Sequence, residues 1–208
     1  MLPFGGAVPV IICMLRAVNV GGRNKVKMAE LLSLCQSLRF RNPQTYVQSG
    51  NVIFATSECD LSVVCRKMSS RFLRDFGFSS DIILRTLDEL RDVVARNPFT
   101  GRQEIEPSKL LVSFLARDPG DDVRAKVRAF RSEVEEIRID GRELYIYFPN
   151  GMGRPKFSAA ALDKILQISA TGRNWNSVTK MLAMAETLEG SENQSVERGS
   201  SRPKTKSR

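Results

Sequence analysis

The apolar residues of this chain follow the same order of patterns twice, and this order most restricts the possible fold. In the first half, the continuous apolar run Val10–Leu15 is typical of a buried strand. Residues 28–38 then carry apolar side chains at helical spacing. Two β-rich runs follow, at residues 45–48 and Asn51–Ala55. A second amphipathic helix is predicted over residues 61–72, and a strand over residues 82–84. This β-α-β-β-α-β order predicts a ferredoxin-like unit.

The second half begins the same order again. Leu110–Leu115 is a predicted strand, and a helix follows the Asp118-Pro119 pair. Asp140-Gly141 predicts a hairpin, and Leu162, Ile165 and Leu166 mark another helix. A last helix, over residues 178–188, stands where a fourth strand would be expected. We therefore predict an α+β protein of two ferredoxin-like units with mainly antiparallel sheets, the second ending in a helix.

The predicted units cover residues 8–97 and 108–189, and a basic tail follows them. Of the net charge of +9, residues 190–208 contribute five basic and two acidic side chains, or +3. Serine, glycine and charged residues dominate this segment, so we expect it to be disordered. The positive charge left on the folded part could attract nucleic acid or phosphorylated metabolites, or form only a solvated surface.

Several classes of site are excluded by composition. The chain has no histidine, which rules out a Ser-His-Asp triad and histidine-ligated metals. The four cysteines lack C-x-x-C spacing and are expected to be reduced core residues of a cytoplasmic protein. We predict no metal site and no cofactor. The apolar start lacks a basic n-region, and no apolar run reaches membrane-spanning length, so neither a signal peptide nor a membrane partner is expected.

Polar residues and glycines are concentrated in two segments that the predicted topology brings together. In a split βαβ unit, the loop after the first strand and the hairpin between the second and third strands lie at one edge of the sheet. Glycine turns and helix starts expose backbone N–H groups that hold anions. We therefore predict a site for a small anionic, phosphorylated ligand, with these candidate residues: Arg16, Asn19, Gly21, Gly22, Lys25, Tyr46, Gln48, Ser49 and Asn51.

Each candidate also has a structural interpretation. Gly21 and Gly22 could serve only a left-handed turn, and Asn51 could bond its own backbone. Arg173 and Asn174 could reach the same ligand, or Asn174 could cap a helix while Trp175 packs between the halves. Gly151 to Lys156 lacks the complete glycine pattern of a nucleotide-binding loop, and an ordinary loop is favoured.

Two other function classes stay open. Ferredoxin-like sheets can stack bases, so nucleic-acid binding is an alternative, although the chain has no RNP-like aromatic motif. An enzyme acting on phosphorylated substrates is a third possibility, with Lys25 or Tyr46 as proton carrier. The sequence identifies no catalytic residue and leaves the oligomeric state open.

Four segments together resemble a widespread bacterial family of uncharacterised proteins that form a domain of unknown function. The segments are LRAVNVGG from Leu15, YVQSGNVIF from Tyr46, NPF from Asn97 and TGRNWNSV from Thr171. The resemblance extends from about Val10 to Leu188 and implies ferredoxin-like units. It implies no established activity. The signature segments contain ten residues of interest: Arg16, Asn19, Gly21, Gly22, Gln48, Ser49, Gly50, Asn51, Arg173 and Asn174.

Overall fold

A computed structural model describes residues 8–153 and 155–200, with side chains as far as residue 195. The elements of the first half are β1 (Val10–Leu15), α1 (Met28–Ser37), β2 (Arg41–Tyr46), β3 (Asn51–Ala55), α2 (Leu61–Phe76), β4 (Ile82–Thr86) and α3 (Leu87–Ala95). The strands form an antiparallel sheet with the order β2-β3-β1-β4. All residues of the central strands β1 and β3 are buried, which explains the continuous apolar run of β1.

A short 3-10 helix, Pro107–Lys109, leads into the second half. The elements of this half are β5 (Leu110–Leu115), α4 (Gly120–Ala129), β6 (Glu136–Asp140), β7 (Glu143–Tyr147), α5 (Ala159–Leu166), β8 (Ala170–Asn174) and α6 (Trp175–Ser200). Its strands repeat the arrangement of the first sheet, with the order β6-β7-β5-β8. The predicted α+β fold of two ferredoxin-like units, ending in a helix, is therefore confirmed.

One predicted feature of the second half is wrong, because a fourth strand is present. Ala170–Asn174 forms β8, which pairs with β5 from Leu111 opposite Asn174 to Leu115 opposite Ala170. Its sequence, ATGRN, has no apolar alternation, so pairing with β5 rather than local propensity places it in the sheet. The final helix begins directly after this strand.

Other element boundaries also differ from the predictions. Strand β2 begins at Arg41 rather than residue 45, and a bulge interrupts its pairing between Arg41 and Gln44. Helix α4 begins at Gly120, one residue after the proline expected at its first position. Cys59 is exposed in the loop before α2, whereas Cys13 and Cys35 are buried as expected.

The two sheets share one hydrophobic core. It contains Ile12 and Ile53 from the first sheet together with Val112 and Phe114 from the second. Helices α3 and α6, which each follow the last strand of a sheet, contribute to the same core through residues such as Leu90 and Met181. Each sheet comes from one half of the chain, and burial of apolar side chains between the sheets holds the two halves together.

The chain is helical well beyond Leu188, in contrast to the disorder expected from residue 190. Helix α6 continues to Ser200, while residues 201–208 lie outside the described residues. Glu192 explains part of this extension, since it is 1% exposed and accepts a 2.6 Å hydrogen bond from Asn42 Nδ2. Its other carboxylate oxygen lies 2.6 Å from Arg41 Nη2, in an ion pair without ideal hydrogen-bond geometry. Composition alone did not indicate this docking on β2.

Candidate functional site

The two segments predicted to share an edge do meet. The backbone N–H of Leu15 donates to the carbonyl of Gly50 at 2.9 Å, which joins the end of β1 to the hairpin between β2 and β3. Farther along the loop, Asn19 Nδ2 donates to the Gln48 carbonyl at 2.8 Å. We call residues 19–25 and 47–50 the loop–hairpin edge.

Asn19 holds this edge together. Its amide also donates to the carbonyl of Val26 at 2.9 Å and accepts from the Val26 N–H at 2.8 Å. The residue has a φ of +55°, which asparagine tolerates better than most residues. Its side chain is therefore fully used within the protein, and Asn19 shapes the edge rather than offering free donors to a ligand.

Glycine is required in the loop for conformation and in the hairpin for close approach. Gly21 and Gly22 have φ values of +57° and +76°, and a Cβ on either would meet nothing within 4 Å. Gly50 has a φ of +73°, and its Cβ would overlap Val18 Cγ2 and lie 3.0 Å from Leu15 Cβ. The glycines at 21 and 22 leave open space above the loop, whereas Gly50 seats the hairpin against the end of β1.

Asn51 and Arg173 lie beneath the edge in a buried polar cluster. Asn51 is fully buried and donates to the Tyr46 carbonyl at 3.1 Å and to Ser49 Oγ at 2.9 Å. Its Oδ1 accepts a short hydrogen bond from Arg173 Nε. The signature segment TGRNWNSV therefore does reach the predicted edge, through Arg173.

Arg173 is 6% exposed, and protein atoms accept hydrogen bonds from all of its guanidinium nitrogens. Nη2 donates to the carbonyls of Leu15 at 2.8 Å and Ser49 at 3.1 Å. Nη1 donates to Thr171 Oγ1 at 2.7 Å and to the Gly172 carbonyl at 2.8 Å. All these acceptors are uncharged. Burial lowers the pKa of Arg173 to about 10. The electrostatic interaction that raises this pKa in the opposite direction comes from Cys13 and not from a carboxylate.

The exposed side of the edge has a different composition. Lys25, Gln48 and Ser49 are exposed, and so is Arg23, which the sequence analysis did not select although it lies in the same GGRNK segment. Two apolar side chains are also unusually open: Val20 is 65% and Val47 is 49% exposed. The loop–hairpin edge therefore exposes both cationic and apolar side chains to solvent.

The other candidate residues lie apart from this exposed surface or are already paired. Arg16 Nη1 forms a 3.2 Å ion pair with Asp81, and Ser169 Oγ donates to the same carboxylate at 2.6 Å. These two hydrogen bonds hold the pKa of Asp81 below its usual value, the serine contributing most. Tyr46 is half-buried and packs against the shared core.

Asn174 has a structural role away from the edge. Its Nδ2 donates to the Ser108 carbonyl at 2.8 Å, and its Oδ1 accepts from the Asn176 N–H at 3.0 Å. It thus caps the start of α6, the alternative that sequence analysis left open. Trp175, the next residue, is partly buried against the core shared by the two halves.

The edge is an open surface rather than a deep pocket. Clefts of about 240 to 580 Å³ lie elsewhere on the described part of the chain, and one of about 580 Å³ is lined mainly by residues of β6 and of the segment between α4 and β6. The edge could therefore hold a ligand only from its solvent side.

No helix among residues 8–153 and 155–200 combines the length and apolar character needed to cross a bilayer.

Comparisons with known proteins concern the family and the fold of this chain. A search of curated proteins found no match. Among solved structures, the chain is similar to the conserved bacterial protein SP0830 from Streptococcus pneumoniae, with a TM-score of 0.63 and 23% sequence identity. That similarity covers 86% of this chain and 99% of the other, and it supports the fold alone. A family described as "Protein of unknown function (DUF1697)" matches residues 9–145, so the chain belongs to this family, and the resemblance to a domain of unknown function is confirmed.

Proposed function

We propose that the protein binds a small anionic ligand, with a phosphorylated compound as the best fit, at the loop–hairpin edge. The observation that carries this proposal is positive charge without balancing carboxylates. Arg23 and Lys25 are exposed on the loop, and neither forms an ion pair with a carboxylate of the described residues. Arg16 differs, because Asp81 already balances its charge.

Backbone groups add to the attraction for an anion. Within the described chain, the N–H groups of Gly21, Gly22 and Lys25 donate to no protein acceptor. Gly21 and Gly22 have consecutive positive φ values, and successive N–H groups in turn conformations can form a concave site for an anion. Their missing side chains also allow a phosphate oxygen to approach the backbone closely.

The buried guanidinium of Arg173 strengthens the field at this edge. It lies against the hairpin carbonyl of Ser49 and contacts no carboxylate among the described residues. A charge surrounded by protein is screened less than one in water, so its influence extends to a ligand on the hairpin. In this arrangement Lys25, Arg23 and Gln48 would contact the ligand, while Asn19 and Asn51 hold the surface in shape.

The same surface is less suited to the alternatives. Nucleic-acid binding by stacking requires exposed aromatic rings, whereas this edge exposes Val20 and Val47. For catalysis, Tyr46, one of the two predicted proton carriers, is half-buried against the shared core rather than exposed beside the loop. Binding of a small anion therefore accounts for more of the geometry than either alternative.

Calorimetric titration with pyrophosphate, at constant ionic strength and with sodium chloride as reference, tests the proposal. We expect saturable binding that Lys25→Gln weakens about tenfold, equivalent to about 1.4 kcal/mol. Lys180→Gln is the matched control, because it removes the same charge from an exposed position on α6. Absence of saturable binding, or equal effects of the two substitutions, would overturn the proposal. Tighter binding of RNA with steep salt dependence would favour the nucleic-acid alternative.

A further inference from the structure

The two halves match in strand register as well as in element order. Ile12 of β1 lies opposite Arg85, and Val112 of β5 lies opposite Arg173. Equivalent backbone hydrogen bonds join each central strand to its hairpin: Leu15 to Gly50 at 2.9 Å and Leu115 to Arg142 at 2.8 Å. Arg85 and Arg173 therefore occupy corresponding positions in the two halves.

Each arginine reaches across to the opposite half. Arg85, on β4, donates through Nη2 to the Leu115 carbonyl at 2.9 Å and through Nη1 to the Leu84 carbonyl at 2.8 Å. Arg173, on β8, contacts the carbonyls of Leu15 and Gly172 in the same way. Both are nearly buried, so the pair of arginines ties each central strand to the other half by reciprocal contacts.

The two arginines differ in the residue that receives Nε. Arg85 Nε donates at 2.8 Å to Glu143, the first residue of β7, which is buried and ionisable. Arg173 Nε donates to Asn51, the first residue of β3 and the counterpart of Glu143. One buried cation thus has a counter-charge, while the other has an amide of neutral charge.

We propose that Asn51 makes the loop–hairpin edge selective for anions, because a bound anionic group supplies for Arg173 the negative charge that Glu143 supplies for Arg85. This inference rests on the proposed function. An unbalanced buried charge is unfavourable, so a ligand that brings a negative group to the hairpin gains from neutralising it. Asn51 acts through Arg173 and is a positioning residue.

The comparison also indicates why the corresponding edge of the second half would not bind anions. There, Glu143 already neutralises Arg85. The connection from β5 to α4 spans only residues 116–119, compared with 16–27 after β1, and it has no paired glycines. The first half therefore combines the longer loop with the unbalanced arginine.

Charge substitution at position 51 tests this inference with a matched control. Asn51→Glu introduces the residue present at the corresponding position of the second half, and Asn51→Gln has the same shape without the charge. Pyrophosphate titration should show at least tenfold weaker binding for the glutamate variant than for the glutamine variant. A purely structural role of Asn51 would affect both variants alike, so equal affinities would overturn the inference.

This result separates the two proposals. If the parent binds pyrophosphate and Lys25→Gln weakens it, but the two variants at position 51 bind equally, the inference fails and the proposed function stands. If the parent does not bind, the proposed function fails and the inference with it. Neither outcome depends on knowing the natural ligand.

A further variant keeps the test valid if the longer side chains prevent folding. Asn51→Asp adds the charge without an extra methylene. Ser49 Oγ can then donate to the new carboxylate, while the Tyr46 carbonyl loses the hydrogen bond that the Asn51 amide donates to it. The variant should weaken pyrophosphate binding at least tenfold, and an unchanged affinity would contradict the inference.

Discussion

Substitution of Gly50 by alanine should destabilise the protein more than an equivalent substitution at Gly77. The two residues have nearly identical φ values, +73° and +74°. The strain of placing alanine in the left-handed region, about 1–2 kcal/mol, should therefore be the same at both positions. Any difference between them reports the space around the added methyl group.

That space differs sharply. A Cβ on Gly77 would meet nothing within 4 Å, whereas on Gly50 it would overlap Val18 and lie 3.0 Å from Leu15 Cβ. Both neighbours are buried, so the hairpin rather than a flexible side chain would have to move. Overpacking of this kind costs about 1–3 kcal/mol. We therefore expect a loss of about 1–2 kcal/mol for Gly77→Ala and about 2–5 kcal/mol for Gly50→Ala.

Urea denaturation measures this difference as a change in midpoint at constant slope. In a thermal scan, a loss of about 3 kcal/mol would lower the melting temperature by roughly 6–12 °C for a protein of this size. Gly22→Ala is a second control, since its φ of +76° is similar and its Cβ would also be free. Equal destabilisation of all three variants would refute the conclusion that Gly50 seats the hairpin.

Four further predictions concern stability and cysteine chemistry. Glu143→Gln should lower the free energy of unfolding by about 3 kcal/mol in urea, because it removes the counter-charge of buried Arg85; a change below 1 kcal/mol would contradict a buried ion pair. Thr86→Ala should cost about 1 kcal/mol in the same assay, since it removes the capping box at the start of α3; an unchanged midpoint would contradict this role. Burial raises the pKa of Cys35 from 9.0 to about 12. Between pH 9 and 12 the thiol therefore ionises in the unfolded chain but stays neutral in the folded protein, so the free energy of unfolding falls as the pH rises through this range. Cys35→Ala should show a shallower alkaline fall, and at pH 8 a thiol reagent should modify exposed Cys59 first.

Local patterns were sufficient where a residue's neighbours in sequence decide its structure. The capping box of Thr86 and Glu89 follows from their spacing of three residues, because all its atoms lie within one helical turn. Strand β1 was equally clear, since burial on both faces requires an uninterrupted apolar run. The meeting of the loop with the hairpin also followed from element order, through the topology of the split βαβ unit.

Predictions failed where a distant partner decides the structure. Strand β8 carries few apolar residues and is placed by its pairing with β5, 55–63 residues earlier in the chain. Helix α6 extends beyond its apolar face because Glu192 docks on Arg41 and Asn42. Asn51 was predicted to contact a ligand, whereas it is buried and its Oδ1 accepts from Arg173, 122 residues later in the chain.

By itself, the sequence determined the repeated α+β order, the family and the two segments that form the edge, because apolar periodicity and turn formation depend on residues that are close together in the sequence. The tertiary structure alone decided which polar side chains are exposed and which are buried. It also decided that Arg85 has a carboxylate partner while Arg173 has an amide. Charge balance in a protein interior depends on groups brought together from distant parts of the chain, and one-dimensional spacing does not contain that information.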